Sequence, residues 1–173
     1  MKRNFIKHAI FTEYFITMTD QPVFDDLDRR ILNTLQTDAS QTNTELAATV
    51  HVSPPTCLRR VKQLTDSGII QRQVAIVAPD KVGARLSAIV EITLDVQAAE
   101  RMEEFEGLVA QDSAVLQCYR VSPGPDFVLI VQVADMPAYH ALAHRLFTAH
   151  ANVRNVKAYF STHRSKFETR IEV

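Results

Sequence analysis

The chain has 173 residues, 46% of them apolar and 23% charged, a balance that excludes wholesale disorder and leaves room for two compact modules. With a formal net charge of -1, affinity for a polyanion has to come from local clustering and not from a generally basic surface.

The first 18 residues, MKRNFIKHAIFTEYFITM, have the outline of a secretion signal. Lys7, His8 and Glu13 interrupt the apolar stretch, however, and no small-residue cleavage site follows. Residues 1–24 are therefore read as an extension: an upstream start, since Met18 precedes a polar stretch, or a short amphipathic arm. No apolar run approaches the roughly 20 residues that span a bilayer. The expectation is a cytoplasmic, nucleoid-associated protein of bacterial type with no membrane partner.

From Asp25 to Asp38, Leu27, Ile31 and Leu35 recur every four residues, the stripe of an amphipathic helix. Thr42, followed three residues later by Glu45, is a capping box that opens a short second helix through Leu46, Ala47 and Val50. Ser53 as N-cap and Pro54 at the first helical position start a third helix, which ends near Gly68. Its Cys57, Val61 and Leu64 form a core stripe, while Thr56, Arg59, Arg60, Lys62 and Gln63 face outward or flank it. Between His51 and Arg72, four cations (Arg59, Arg60, Lys62, Arg72) stand against one anion (Asp66), a local excess of three. Two short helices joined by a tight turn, the second rich in Arg, Lys, Gln and Thr, meet the requirements of major-groove reading. Ser53, Thr56, Arg59, Arg60, Lys62 and Gln63 are the candidate contacts to double-stranded DNA. The alternative is a plain solvated face, since surface Lys and Arg are common.

The segments LDRRILNTLQTD and NTELAATVHVSPPTCLRRVKQLTDSGII resemble the leucine-responsive/asparagine-synthase regulator (Lrp/AsnC) family over roughly Asp25 to Glu168. The resemblance implies a three-helix, winged helix-turn-helix domain (25–72), a connecting strand and linker (73–85) and a ligand-binding, oligomerising αβ domain (86–173).

The residues of the second module read independently as βαββαβ. Ile69 to Val77 is a strand-like connector, and Leu86 to Val96 alternates as a strand. Ala98, Met102, Phe105 and Val109 mark a helix, and Val115–Val121 and Phe127–Val133 form a hairpin. Asp135 caps a helix carrying Tyr139, Leu142, Ala143 and Leu146, and Val156, Ala158 and Phe160 alternate in a last strand. The fold class is α+β, with a ferredoxin-like second domain. Cys57 and Cys118 are too far apart for a C-x-x-C motif and read as buried, reduced thiols.

The loop Ser122 to Phe127 is the candidate effector site: its amides suit a carboxylate, and Asp126 an ammonium group. An ordinary Pro/Gly/Asp turn is the competing reading. The family resemblance implies an amino-acid effector bound between neighbouring dimers, at Ser122, Gly124, Asp126, Met136 and Tyr159, Phe160 and Ser161. The chain departs from the family in carrying Pro123 where Gly follows the Ser, and Pro offers no N–H to a ligand. His140 and His144, four apart, have metal-ligand spacing but lack a metalloprotease glutamate, so no metal and no other cofactor is expected. No G-x-S-x-G elbow, P-loop or G-x-G-x-x-G fingerprint is present, and an enzyme is not expected.

The function expected is a sequence-specific DNA-binding regulator of amino-acid-related genes, a homodimer assembling to higher oligomers, octamers included. Two alternatives stand beside it: an architectural DNA-compacting protein without effector, and a metabolite-binding ferredoxin-like domain with a vestigial helix-turn-helix.

Overall fold

The computed structural model describes residues 24–173. The expected arm at residues 1–24 lies, but for Phe24, outside them. Two compact units are present, one running to Val74 and taking in Glu168–Val173, the other spanning Ala75–Phe167.

The first unit holds three helices: α1 (Asp26–Thr37), α2 (Asn43–Thr49) and α3 (Pro54–Asp66). Each begins where a side chain can satisfy or replace the free amides of a helix start. Asp25 caps α1 and shares a reciprocal capping box with Asp28, and Thr42 and Glu45 do the same for α2. Between α2 and α3 the chain turns at His51, which adopts φ +59. This left-handed conformation is uncommon for a residue with a Cβ, and it makes the turn tight. Gly68, at φ +77, ends α3 in the left-handed conformation that favours glycine. Ile31, Leu32, Leu46, Ala47, Val50, Cys57 and Leu64 form the core.

The chain returns to this unit at its end. The Gln36 side chain pairs with the main chain of Ile171 as a neighbouring strand would, donating from Nε2 to the carbonyl (3.1 Å) and accepting the N–H at Oε1 (2.8 Å). Arg170 donates to Asn33 Oδ1, and Val173 packs against the core.

The second unit follows the order β1 (Leu86–Leu94), α4 (Ala99–Ala110), β2 (Val115–Arg120), β3 (Phe127–Val133), α5 (Met136–Ala143) and β4 (Val153–Phe160). The sheet order is β2-β3-β1-β4 with every pair antiparallel, the βαββαβ arrangement expected from the residues. Ala88, Val90, Ile92 and Leu94 on β1 and Phe127, Leu129, Val131 and Val133 on β3 point to one face. They pack there with Phe105 and Val109 of α4 and Tyr139 and Leu142 of α5. The other face presents Ile89, Tyr119 and Tyr159, all more than two-fifths exposed, next to Val128 and Ile130.

Three expectations are corrected. Residues 71–78 are extended but have no strand partner, because a strand needs a second strand to close its ladder and these residues pair with none among those described. Val74, Ile76 and Val77 are left exposed there. The last strand begins at Val153, ahead of the alternation that marked it. Cys118 is exposed, not buried, because β2 is an edge strand. No described helix is long and apolar enough to cross a membrane.

Candidate DNA-reading face and effector residues

On α3, Arg59, Lys62 and Gln63 are exposed on one face, opposite buried Cys57 and Leu64. Neither Arg59 nor Lys62 has a carboxylate partner among the described residues, so both cations are available to an anion. At the start of the helix the Ser53 and Thr56 hydroxyls bond to each other at 2.8 Å, and Ser53 makes no side-chain cap. Pro54 and Pro55 remove two of the N–H groups that a helix start normally offers a phosphate. Anion binding at this end therefore falls to side chains. Asn43 at the start of α2 donates to the Pro54 carbonyl at 2.9 Å and so ties the two helix starts together.

Leu58 was not anticipated from the sequence. It is 59% exposed, and its signal was available: an apolar residue one place off the Cys57–Val61–Leu64 stripe. A methyl-bearing side chain beside Arg59 and Lys62 can contact the thymine C5-methyl group.

Arg60 does not join the exposed face. Its Nη2 lies 2.7 Å from Asp25 Oδ2, and its Nη1 lies 3.3 Å from both carboxylate oxygens of Asp28. Three residues after Cys57 and four before Leu64, Arg60 flanks the core stripe and turns to the start of α1, away from the face that carries Arg59 and Lys62. Asp25 is held below its ordinary pKa, first by the bond it accepts from the Asp28 N–H, with burial opposing and the Arg60 charge adding.

The effector candidates fall into two groups. Ser122, Gly124 and Asp126 lie in the loop before β3; Met136 follows β3, and Tyr159, Phe160 and Ser161 lie at that same end, where Phe160 pairs with Ala88 and the Ser161 N–H bonds to Ser87. The length of β3 separates the groups by about 20 Å. One chain does not bring them together.

Ser122 and Gly124 are exposed. Asp126 is only 8% exposed, and its Oδ2 accepts the Leu94 N–H at 2.7 Å. Its own N–H bonds to the Ile92 carbonyl and its carbonyl accepts from Val121. Asp126 thus carries the ladder past the end of β3 to β1 and β2. The carboxylate expected to meet an ammonium group is thus engaged with the main chain of β1. In the other group, Met136 is exposed and Tyr159 hydroxyl lies 3.4 Å from Glu91 Oε2. Phe160 meets Tyr139 edge to face at 4.9 Å, and burial raises the Tyr139 hydroxyl above its ordinary pKa. No group of three or more potential metal ligands occurs among the described residues.

Residues 24–71 match the model of winged helix-turn-helix DNA-binding domains, and residues 87–171 that of the Lrp/AsnC ligand-binding domain. The chain is 42% identical over 147 residues to an uncharacterized HTH-type transcriptional regulator of Haemophilus influenzae, covering 85% of this chain and 88% of the relative. It is 34% identical over 149 residues to the leucine-responsive regulatory protein of Escherichia coli, covering 86% and 91%. The chain belongs to the Lrp/AsnC family. Among solved structures, an AsnC family transcriptional regulator from Agrobacterium tumefaciens is similar with a TM-score of 0.80 at 32% identity, covering 86% of this chain and 96% of that one. A transcriptional regulator from Neisseria meningitidis solved as an L-methionine complex is similar with a TM-score of 0.80 at 30% identity and the same coverage. Like its Lrp/AsnC relatives, this protein is a transcriptional regulator with a DNA-binding helix-turn-helix and a ligand-binding domain, and the family is not enzymatic.

Proposed function

We propose that this Lrp/AsnC protein binds specific DNA sequences at amino-acid-related genes and that an amino acid, held between copies of the chain, modulates the binding. On DNA, Arg59 and Lys62 anchor phosphates or guanine, Gln63 reads adenine, Leu58 meets a thymine methyl group, and Ser53 and Thr56 touch the backbone. The assembly is a twofold dimer joined over the open sheet face of Ile89, Tyr119 and Tyr159, since an apolar patch of this kind marks an interface. Dimers then associate further.

The observation that carries the effector reading is the separation of the two residue groups by the length of β3. Two copies placed end to end would bring the Ser122–Gly124 loop of one to the Met136 and Tyr159–Ser161 end of the next. The L-methionine complex of the Neisseria relative points to an amino acid as the ligand class. Asp126 serves as scaffold in this site, and the ammonium group is met by other acceptors.

A thermal-shift screen of the twenty amino acids tests the reading. A ligand at a hundred times its dissociation constant adds about 2.7 kcal/mol of stability. Stabilisation by one or a few of them, lost in Met136→Ala, is expected. No stabilisation by any of the twenty would remove the amino-acid effector from the account.

A further inference from the structure

We propose that Arg60 is a positioning residue for DNA recognition: its guanidinium sets the rotation of recognition helix α3 against the start of α1, and it touches no DNA. The inference rests on the reading of α3 as the DNA-reading helix.

The two carboxylates that receive Arg60 are themselves fixed. Asp28 donates its N–H to Asp25 Oδ1 at 2.8 Å, and Asp25 returns the bond to Asp28 Oδ2 at 3.4 Å. The capping box therefore presents two oriented anions at one point, and a planar guanidinium fork on α3 spans both. The Arg60 and Asp28 side chains are 25% and 13% exposed and Asp25 48%, so the Asp28 limb of the fork is shielded from solvent while the Asp25 limb lies at the surface, and both terminal guanidinium nitrogens already face carboxylates in place of a DNA phosphate. Against α1, the other contacts that seat α3 are apolar (Cys57, Val61 and Leu64 share a core with Ile31) and carry no directional preference, while the Asn43–Pro54 bond fixes only the start of α3 to α2. The ionic fork supplies direction between α3 and α1. Side chains reach about 5–6 Å from a helix axis, so a 20° rotation of α3 moves their ends by about 2 Å. A bidentate bond from Arg59 or Gln63 to a base edge does not survive that displacement.

The sign of one substitution separates positioning from contact. Asp28→Asn removes a negative charge from a DNA-binding domain, so by electrostatics alone it tightens binding. If Asp28 and Arg60 orient α3, it weakens binding to a specific site.

The test uses the full chain and two probes: a duplex enriched by the wild-type protein from a randomised pool, and a scrambled duplex of equal length. Affinities are measured over a range of salt concentrations, below the melting temperature of every variant. Arg60→Met and Asp28→Asn are each expected to weaken the selected duplex by about tenfold or more, with the scrambled duplex held within about threefold and the salt slope unchanged. The double variant is expected to be no weaker than the worse single one, because both remove the same joint. A variant that is merely unfolded loses both duplexes together, so the ratio between them reports orientation, and the isosteric Asp28→Asn keeps the test sharp if Arg60→Met folds poorly. Tighter binding by Asp28→Asn would overturn the inference, as would a salt slope lowered by about one in Arg60→Met, the mark of a lost phosphate contact. Arg59→Ala is the separate control on α3: if it leaves both duplexes unaffected, the DNA-reading face itself is misplaced.

Discussion

Asp126 and three carboxylates at the helix ends of the first unit, Asp25, Asp38 and Glu45, hold nearby main chain in place. Removing the Asp126 carboxylate orphans the buried Leu94 N–H, which costs about 1–3 kcal/mol. Asp126→Ala is therefore expected to lower the melting temperature of the second unit, whereas Asp126→Asn, which still offers an oxygen, retains most of the stability. Equal melting of the wild type and the alanine variant would refute this role. Asp25, Asp38 and Glu45 all sit below their ordinary pKa values: Asp25 first through the Asp28 N–H, Asp38 first through the Ser40 hydroxyl, Glu45 first through the Thr42 N–H. A carboxylate lowered on folding contributes stability above its unfolded pKa and loses it as the pH falls through the folded value. The first unit should accordingly lose helical circular dichroism on acidification below about pH 4, the ordinary carboxylate range. Glu45→Gln, uncharged throughout, should flatten that dependence; an unchanged acid profile would count against the cap. The Thr42–Glu45 box was legible in the sequence because its spacing alone defines it. The Asp126 bond was not, since its partner lies 32 positions away and a turn aspartate looks the same whether it faces solvent or strand.

Elements whose signal is periodic were legible in the same way. The α3 stripe, the Gly68 stop and the alternation of β1 and β3 each follow from local geometry. Arg60 was ambiguous because it borders the stripe, and only its long-range partners decide its role. The carboxy-terminal segment gave no signal at all: six residues without apolar periodicity are fixed to α1 by the Gln36 side-chain amide on the Ile171 main chain and by Arg170 on Asn33. Deleting Glu168–Val173 from the chain is expected to destabilise the first unit by about 1 kcal/mol, through three lost hydrogen bonds at the surface and the exposed Val173 site. That corresponds to a few degrees in its melting transition, with the second unit unaffected; no change in the first transition would show the clamp to be energetically idle. Residues 71–78 illustrate the opposite limit, since their β-rich composition was legible while no described residue pairs with them as a strand.

At the scale of the molecule, one chain contains the whole helix proposed to read DNA, whereas the residues proposed to hold an effector stand in two groups separated by the length of β3. Residue chemistry alone could not point to such a pair of groups, because residues about 40 positions apart leave no compact motif along one sequence. In the assembly proposed above, Ser122 and Gly124 at one end of β3 would meet Met136 and Tyr159 from the other end of a neighbouring copy. The same arrangement would let a ligand alter how copies associate, and hence the spacing of two α3 helices over their half-sites. The central claim is tested by titrating the selected duplex with the full-length protein in the absence and presence of each amino acid at saturating concentration. The account predicts that at least one of them changes the apparent affinity by about fivefold or more. An affinity that stays constant across all twenty would contradict it.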